Sequence, residues 1–128
     1  LQSLRIDESA DETWYWRGLI AREQGLKDEA MQAMDQAIVR NPQRADSYLV
    51  KGLLYYEAGE YPEAIAAFDL LLRMNPSYAP AYVNRSAAYS GMERYREALA
   101  DLQQARQLGY PVNEAYYNEI LRKAGGNP

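Results

Sequence analysis

No cysteine and no histidine occur among the 128 residues. These two absences remove disulfides, thiolate nucleophiles, imidazole general bases and the usual zinc ligands together. Without His or Cys, catalysis would fall to Glu, Asp, Lys, Tyr or Ser, and no nucleophile–base pair or glycine-rich phosphate loop is visible. The sequence therefore reads as a non-enzyme that needs neither metal nor cofactor. No dense Lys/Arg run occurs and the formal charge is −4, so a phosphate-backbone footprint is missing and nucleic acid is not the expected partner. No run approaches the ~18 apolar residues of a membrane span, and no basic-then-apolar signal pattern opens the chain, so membrane insertion is not expected. Lack of cysteine suits an oxidising or a reducing compartment equally, and bacterial cytoplasm and periplasm both stay open. Leu1 stands where Met would begin a primary product, which reads as a processed chain or a piece of something longer.

What the sequence has is a repeat. Asp11, Ala45, Ala79 and Asn113 open successive stretches 34 residues apart with no gap, and internal repeats of this length mean a solenoid. Each stretch holds two helical patterns separated by a break. The first helices are expected over Asp11–Gln24, Ala45–Ala58 and Ala79–Gly91. The second are expected over Lys27–Arg40, Tyr61–Met74 and Tyr95–Leu108, with a last lone helix over Asn113–Ala124. Ser9 with Glu12 offers a capping box, Gly25 and Gly59 supply turns, and Pro62 fits a first turn. Asn41-Pro42, Asn75-Pro76 and Gly109-Tyr110-Pro111 close the units, with Asn or Gly suited to a left-handed cap.

Six columns hold this register: Trp14, Tyr48 and Tyr82; Gly18, Gly52 and Ser86; Ala21, Tyr55 and Tyr89; Ala30, Ala64 and Ala98; Met34, Phe68 and Leu102; Ala37, Leu71 and Ala105. Pro42 and Pro76 make a seventh, from which the third unit departs with Tyr110, placing Pro111 one residue later. The pattern resembles the tetratricopeptide repeat over residues 11–124. The resemblance implies an all-α, right-handed α-solenoid of about three helix-turn-helix units plus a C-terminal capping helix. Its divisions are repeats 11–44, 45–78 and 79–112, a cap over 113–124, a tail over 125–128, and before residue 11 a tail or the end of a preceding helix. For the last, Ser3, Leu4 and Ile6 align with Leu71, Leu72 and Met74, and Asp7 with Asn75.

The small column marks where paired helices cross, with Ala30, Ala64 and Ala98 expected opposite it. Trp14, Tyr48, Tyr82 and Tyr116 are expected as core wedges between neighbours. Ile120 and Lys123 break the small and aromatic columns in the fourth unit, as suits a terminal helix that covers the last apolar face, so the array is expected to end there. The basic column Arg17, Lys51 and Arg85 reads as long stems whose heads reach water or a neighbouring carboxylate. Glu29, Glu63 and Glu97 fall in first turns, where a carboxylate favours the positive helix end.

In the family the first helices line a concave face where partners usually bind. Helical spacing places Tyr15, Trp16, Leu19, Leu49, Val50, Leu53, Tyr56, Val83, Asn84, Tyr117 and Asn118 toward that side. Tyr15, Trp16, Leu49, Val50, Leu53 and Tyr56 are the favoured anchors, inside a rim carrying Glu12, Asp46, Glu57 and Glu114. The expected partner is a protein or peptide, as an amphipathic helix or an extended apolar peptide with basic flanks. Asn84 and Asn118 could each grip one peptide unit of such a ligand. The alternative is a self-assembly module whose groove or ends pair with other copies or with the rest of a longer chain. Tyr82–Tyr89 (YVNRSAAY) resembles co-chaperone repeats that clamp a terminal carboxylate. Only Asn84 matches, however: Leu49, Leu53, Glu114 and Asn118 hold the other places, and an acidic tail is the wrong ligand.

Overall fold

A computed structural model describes residues 10–125, and among them the regular elements are all helices. They run α1 Asp11–Glu23, α2 Lys27–Arg40, α3 Ala45–Glu57, α4 Tyr61–Met74, α5 Ala79–Gly91, α6 Tyr95–Gln107 and α7 Glu114–Lys123. Every boundary lies within one residue of the sequence expectation. Helices pair as α1·α2, α3·α4 and α5·α6, and each second helix packs on the first helix of the next unit, ending with α6 on α7. Successive first helices also approach one another directly, α1 with α3 and α3 with α5, and so form an inner row. The result is an all-α helical-repeat solenoid.

The proposed helix end over residues 1–8, and Ser9 of the capping box, lie outside the described residues. Within them, Ala10 holds the N-cap of α1 with no side-chain bond, and Asp11 and Glu12 supply acidic charge to the first turn. The turn inside each unit needs a left-handed residue: Gly25 sits at φ 76° and Gly59 at φ 77°. In the third unit that place falls to Glu93, at φ 60°, where a side chain costs about 1–2 kcal/mol. Glu93→Gly should relieve this, less the ~0.4–1 kcal/mol that glycine adds to unfolded-state entropy. A net gain of roughly 0.5–1 kcal/mol, read as a higher urea midpoint at unchanged m-value, is the expected outcome.

The unit closures differ from expectation. Asn41 and Asn75 both sit at φ −145°, not in the left-handed region. Each instead accepts with its side-chain oxygen from the backbone N–H two residues on, Gln43 at 3.1 Å and Ser77 at 3.2 Å. Asparagine is here for an Asx turn. Only Gly109 takes the left-handed form, at φ 82°.

The core lies between paired helices. A Cβ on Gly52 would fall under 3.0 Å from three carbons of the Phe68 ring, and one on Gly18 would lie 2.5 Å from the Met34 methyl. The side chains that require the small column are therefore Met34 and Phe68, while Ala30 meets Gly18 through its carbonyl oxygen at 3.4 Å from that Cβ. In the third unit Leu102 replaces the phenyl ring, and Ser86 donates its hydroxyl to the Ala98 carbonyl at 2.9 Å. Ile120 is 2% exposed and packs on Ala98 and Leu102, so α7 seals the end of α6.

The aromatic wedges are half-buried rather than fully buried. Tyr48 and Tyr82 donate their hydroxyls to the carbonyls of Pro42 and Pro76 at 3.0 and 2.8 Å, latching each closing loop to the following helix.

Candidate partner-binding face

The inner row is built from residues at matched places on α1, α3 and α5. Tyr15 and Leu19 pack partly buried on the Ala21–Met34–Leu54 cluster; Leu49, Leu53 and Tyr56 pack on Ala64, Phe68 and Ala88; Val83 and Tyr117 pack on Leu102 and Ile120. One side of each is committed to the core and the other is left to solvent, giving an apolar strip across the units. Burial pushes the Tyr15 and Tyr56 hydroxyls above the ordinary tyrosine range, which fits rings set into the strip. Tyr56 lies 5.6 Å from Tyr61, centroid to centroid, and the Tyr61 ring occupies the space a side chain on Gly91 would need.

One member of the column Trp16, Val50, Asn84 and Asn118 is placed differently from the sequence reading. Val50 is 4% exposed, buried with Ala21, Met34 and Leu54. It faces the preceding unit, not the groove, and a partner cannot reach it as an anchor. The same flank on α1 carries Trp16 and Ile20, 55% and 56% exposed, whereas Val50 and Leu54 at those places on α3 are covered by α1 and α2. Trp16 thus marks the open edge of the first unit, its ring edge-on to Tyr15 at 5.7 Å. Asn84 on α5 is half-buried and Asn118 on α7 exposed.

The acidic rim is largely engaged. Asp46 accepts from the Tyr78 hydroxyl at 3.0 Å, Glu57 pairs with Arg22, and Glu114 lies 3.7 Å from Arg106. Arg106 also covers the Tyr117 ring at 4.2 Å, narrowing access there. Basic flanks on a ligand therefore have less to meet than the sequence suggests, with Glu12 the exposed rim carboxylate outside these pairs.

Two residues that sequence reasoning passed over also frame the strip. Arg44 and Tyr78, 34 residues apart, close the first two units. Arg44 pairs with Asp11 at 2.5 Å, holding that carboxyl below the usual range, and lies 5.3 Å from the Tyr15 ring centre. Burial, and then the Asp46 bond, push Tyr78 up to about 12. They recur with the period, but in loops, where helical-face counting does not look.

The Tyr78 shift makes stability fall at alkaline pH. Its hydroxyl ionises near 10 in the unfolded chain and near 12 in the fold, so the unfolded state loses its proton first. The contribution is intact below about pH 10 and is lost progressively toward pH 12. Tyr78→Phe should flatten the fall in Tm over that window; an unchanged profile would contradict the Tyr78–Asp46 bond.

The basic column meets carboxylates. Lys51 reaches Asp35 at 2.8 Å, and Arg85 reaches Asp69 at 2.7 Å and Asp101 at 2.6 Å. Arg17 lies over the Trp14 ring at 4.9 Å. Among the described residues no acidic cluster is arranged to hold a metal, and no helix is long and apolar enough to cross a membrane. A cleft of about 400 Å³ opens between α3 and α4, lined by Ile38, Tyr48, Lys51, Tyr55, Glu63, Ala66, Ala67 and Leu70. It sits roughly a third of a turn round α3 from Leu49, Leu53 and Tyr56.

Comparison with known proteins agrees with this architecture. Two family models described as tetratricopeptide repeat match, one over residues 2–45 and 32–79, the other over 79–108. No curated protein matches the chain. Among solved structures, a crystal structure of MamA is similar at TM-score 0.77 and 29% identity, covering 80% of this chain and 60% of that one. A second MamA structure gives 0.76 and 26%, covering 95% and 62%. The chain thus spans about three-fifths of the length of either. The first TPR of Spaghetti (RPAP3) bound to the HSP90 peptide SRMEEVD is similar at 0.82 and 22% identity, covering 95% of this chain and 96% of that one. With its family model matched over more than half its length and its helices stacked in the same way, the chain belongs to the tetratricopeptide repeat family.

Proposed function

We propose that the chain is a protein-interaction scaffold whose inner row receives an apolar segment of a partner, either an extended peptide or one face of an amphipathic helix. The observation that carries this reading is the half-buried strip of Leu19, Leu49, Leu53, Tyr56 and Val83, which repeats across three first helices and keeps one side open to solvent. Rows of aromatic and aliphatic side chains of this kind serve as anchor sites. The RPAP3 repeat bound to SRMEEVD supports peptide binding by this fold. The acidic end of that peptide does not suit this chain, whose clamp places hold Leu49, Leu53, Glu114 and Asn118. Asn84 and Asn118 are assigned to the ligand's backbone in the C-terminal half. Repeats of this family generally bind rather than catalyse, and the reading assigns no chemistry to the chain.

A peptide selected on the wild-type protein from a random display library supplies the ligand for the test. Leu53→Glu places a charge in the middle of the strip and should weaken that peptide at least tenfold, since a charge buried without a partner costs well over ~1.4 kcal/mol. Equal affinity in a folded variant would remove the inner row as the site. A second reading, pairing with another copy or with the rest of a longer chain, is favoured by the exposed Trp16 and Ile20 edge. Concentration-dependent light scattering that vanishes in Trp16→Glu would support it.

A further inference from the structure

Each unit carries an aromatic residue on its first helix and a cation three positions on, so the two share a face: Trp14 and Arg17, Tyr48 and Lys51, Tyr82 and Arg85. In the third unit the Arg85 guanidinium lies 5.6 Å from the Tyr82 ring centre and 5.9 Å from that of Tyr89, and it donates to Asp101 and Asp69. In the first unit two guanidiniums face the Trp14 ring, Arg17 at 4.9 Å and Arg40 at 5.2 Å. The middle unit lacks this filling. Its cation is a lysine at the cleft wall that pairs with Asp35 at 2.8 Å, as Arg85 pairs with Asp69 one unit on, while Ala67 stands where the third unit has Asp101, and Met74 stands where the first has Arg40. Tyr48 and Tyr55 line the open cleft of about 400 Å³ instead; the corresponding cleft of the first unit, about 380 Å³, has Arg17 and Trp14 in its lining and Ala21 in place of the second tyrosine.

We propose that this cleft receives an arginine side chain of a partner polypeptide, as a surface separate from the inner row. Three parts of an arginine have counterparts there. The planar cation has the Tyr48 and Tyr55 rings at the lining, the pair equivalent to Tyr82 and Tyr89 that Arg85 approaches one unit on. The methylene stem has the apolar floor of Ala66, Ala67 and Leu70. The N–H groups have the Glu63 carboxylate at the lining, which is exposed and makes no ion pair among the described residues. The Lys51 charge is compensated by Asp35, and the net charge of −4 favours a basic segment.

The test uses the whole chain with tyrosine rings labelled for NMR and N-acetyl-arginine amide as the probe. Saturable shifts are expected at Tyr48 and Tyr55 but not at Tyr82 or Tyr89, with N-acetyl-norleucine amide weaker by roughly three- to fivefold. Lys51→Arg with Ala67→Asp transplants the third unit's own pair into the slot and should abolish the shifts. Glu63→Gln, at an exposed position that leaves the core untouched, should weaken them and carries the test if the double variant does not fold. No saturable shift at Tyr48 or Tyr55, equal binding of the norleucine probe, or unchanged binding in folded Glu63→Gln would each overturn the proposal. Leu53→Glu should leave the arginine shifts unaltered, so failure of the inner-row reading and failure of this one are told apart.

Discussion

Phe68→Ala is expected to lower the free energy of unfolding by about 3–5 kcal/mol, as removal of a buried phenyl ring does where the surroundings cannot collapse. Phe68 is fully buried at the crossing of α3 and α4, against Ala64 and Ala88, with Gly52 beneath it. The same contact sets the sign of substitutions at the two glycines. In a helix interior alanine gains about 0.8–1.0 kcal/mol over glycine. At Gly18 the nearest atom is the end of a flexible methionine, which can move aside, so Gly18→Ala should be neutral or slightly stabilising. At Gly52 the obstacle is a rigid ring with three carbons under 3.0 Å from the new Cβ, so overpacking of about 1–3 kcal/mol wins, and Gly52→Leu should fare worse still. The third unit displays a matched alternative, Ser86 with Leu102. Gly52→Ser combined with Phe68→Leu should therefore be less damaging than the two singles together, by a coupling of about 0.5–3 kcal/mol. Urea melts of the four proteins measure it, and strict additivity would show that the two columns are not in contact.

Arg85→Ala is the second large effect. Arg85 joins Asp69 on α4 to Asp101 on α6, and Asp101 is 4% exposed. Its removal leaves two carboxylates facing one another, one of them buried. Breaking a buried pair costs about 3–5 kcal/mol; the partial exposure of Arg85 and Asp69 admits screening water and places this case at the lower end. Burial already raises the Asp101 carboxyl above its ordinary value, while the Asp101 bond raises Arg85. A carboxyl raised in the fold holds its proton longer than in the unfolded chain, so the stability it brings is present at acid pH and lost as pH rises. Arg85→Ala should accordingly be less damaging at pH 4 than at pH 7, because a protonated Asp101 no longer needs a cation. Arg85→Met with Asp101→Leu, which removes the buried pair and leaves the partly exposed Asp69 to water, should come close to wild type. A double variant as unstable as the single would contradict this account of the network.

The helices were legible because their punctuation is local: Pro62 in a first turn, Gly25 and Gly59 at positive φ, and an unbroken spacing of 34. The crossings were legible because small residues recur there. What helical spacing could not tell is which flank of a first helix meets the preceding unit. Trp16 and Val50 occupy one column, yet Val50 is core and Trp16 is exposed, because the difference lies in the neighbour and not in the helix. The rim suffered in the same way. Arg22 with Glu57 and Lys27 with Glu60 are pairs between units, at spacings of 35 and 33. Counting carboxylates on one helix overlooks the cation one repeat away. Glu93 escaped notice because nothing in its identity suggests a left-handed residue; only the spacing from Gly59 does.

Mapping a selected peptide on the wild-type protein by amide and methyl NMR tests the central claim most directly. Binding through the inner row should shift Leu49, Leu53, Tyr56 and Val83 together and leave Val50, in the core, nearly unmoved. Shifts confined to Tyr48, Tyr55 and Leu70 in the cleft between α3 and α4, or to Trp16 and Ile20 at the open edge, with Leu53 unmoved, would contradict it.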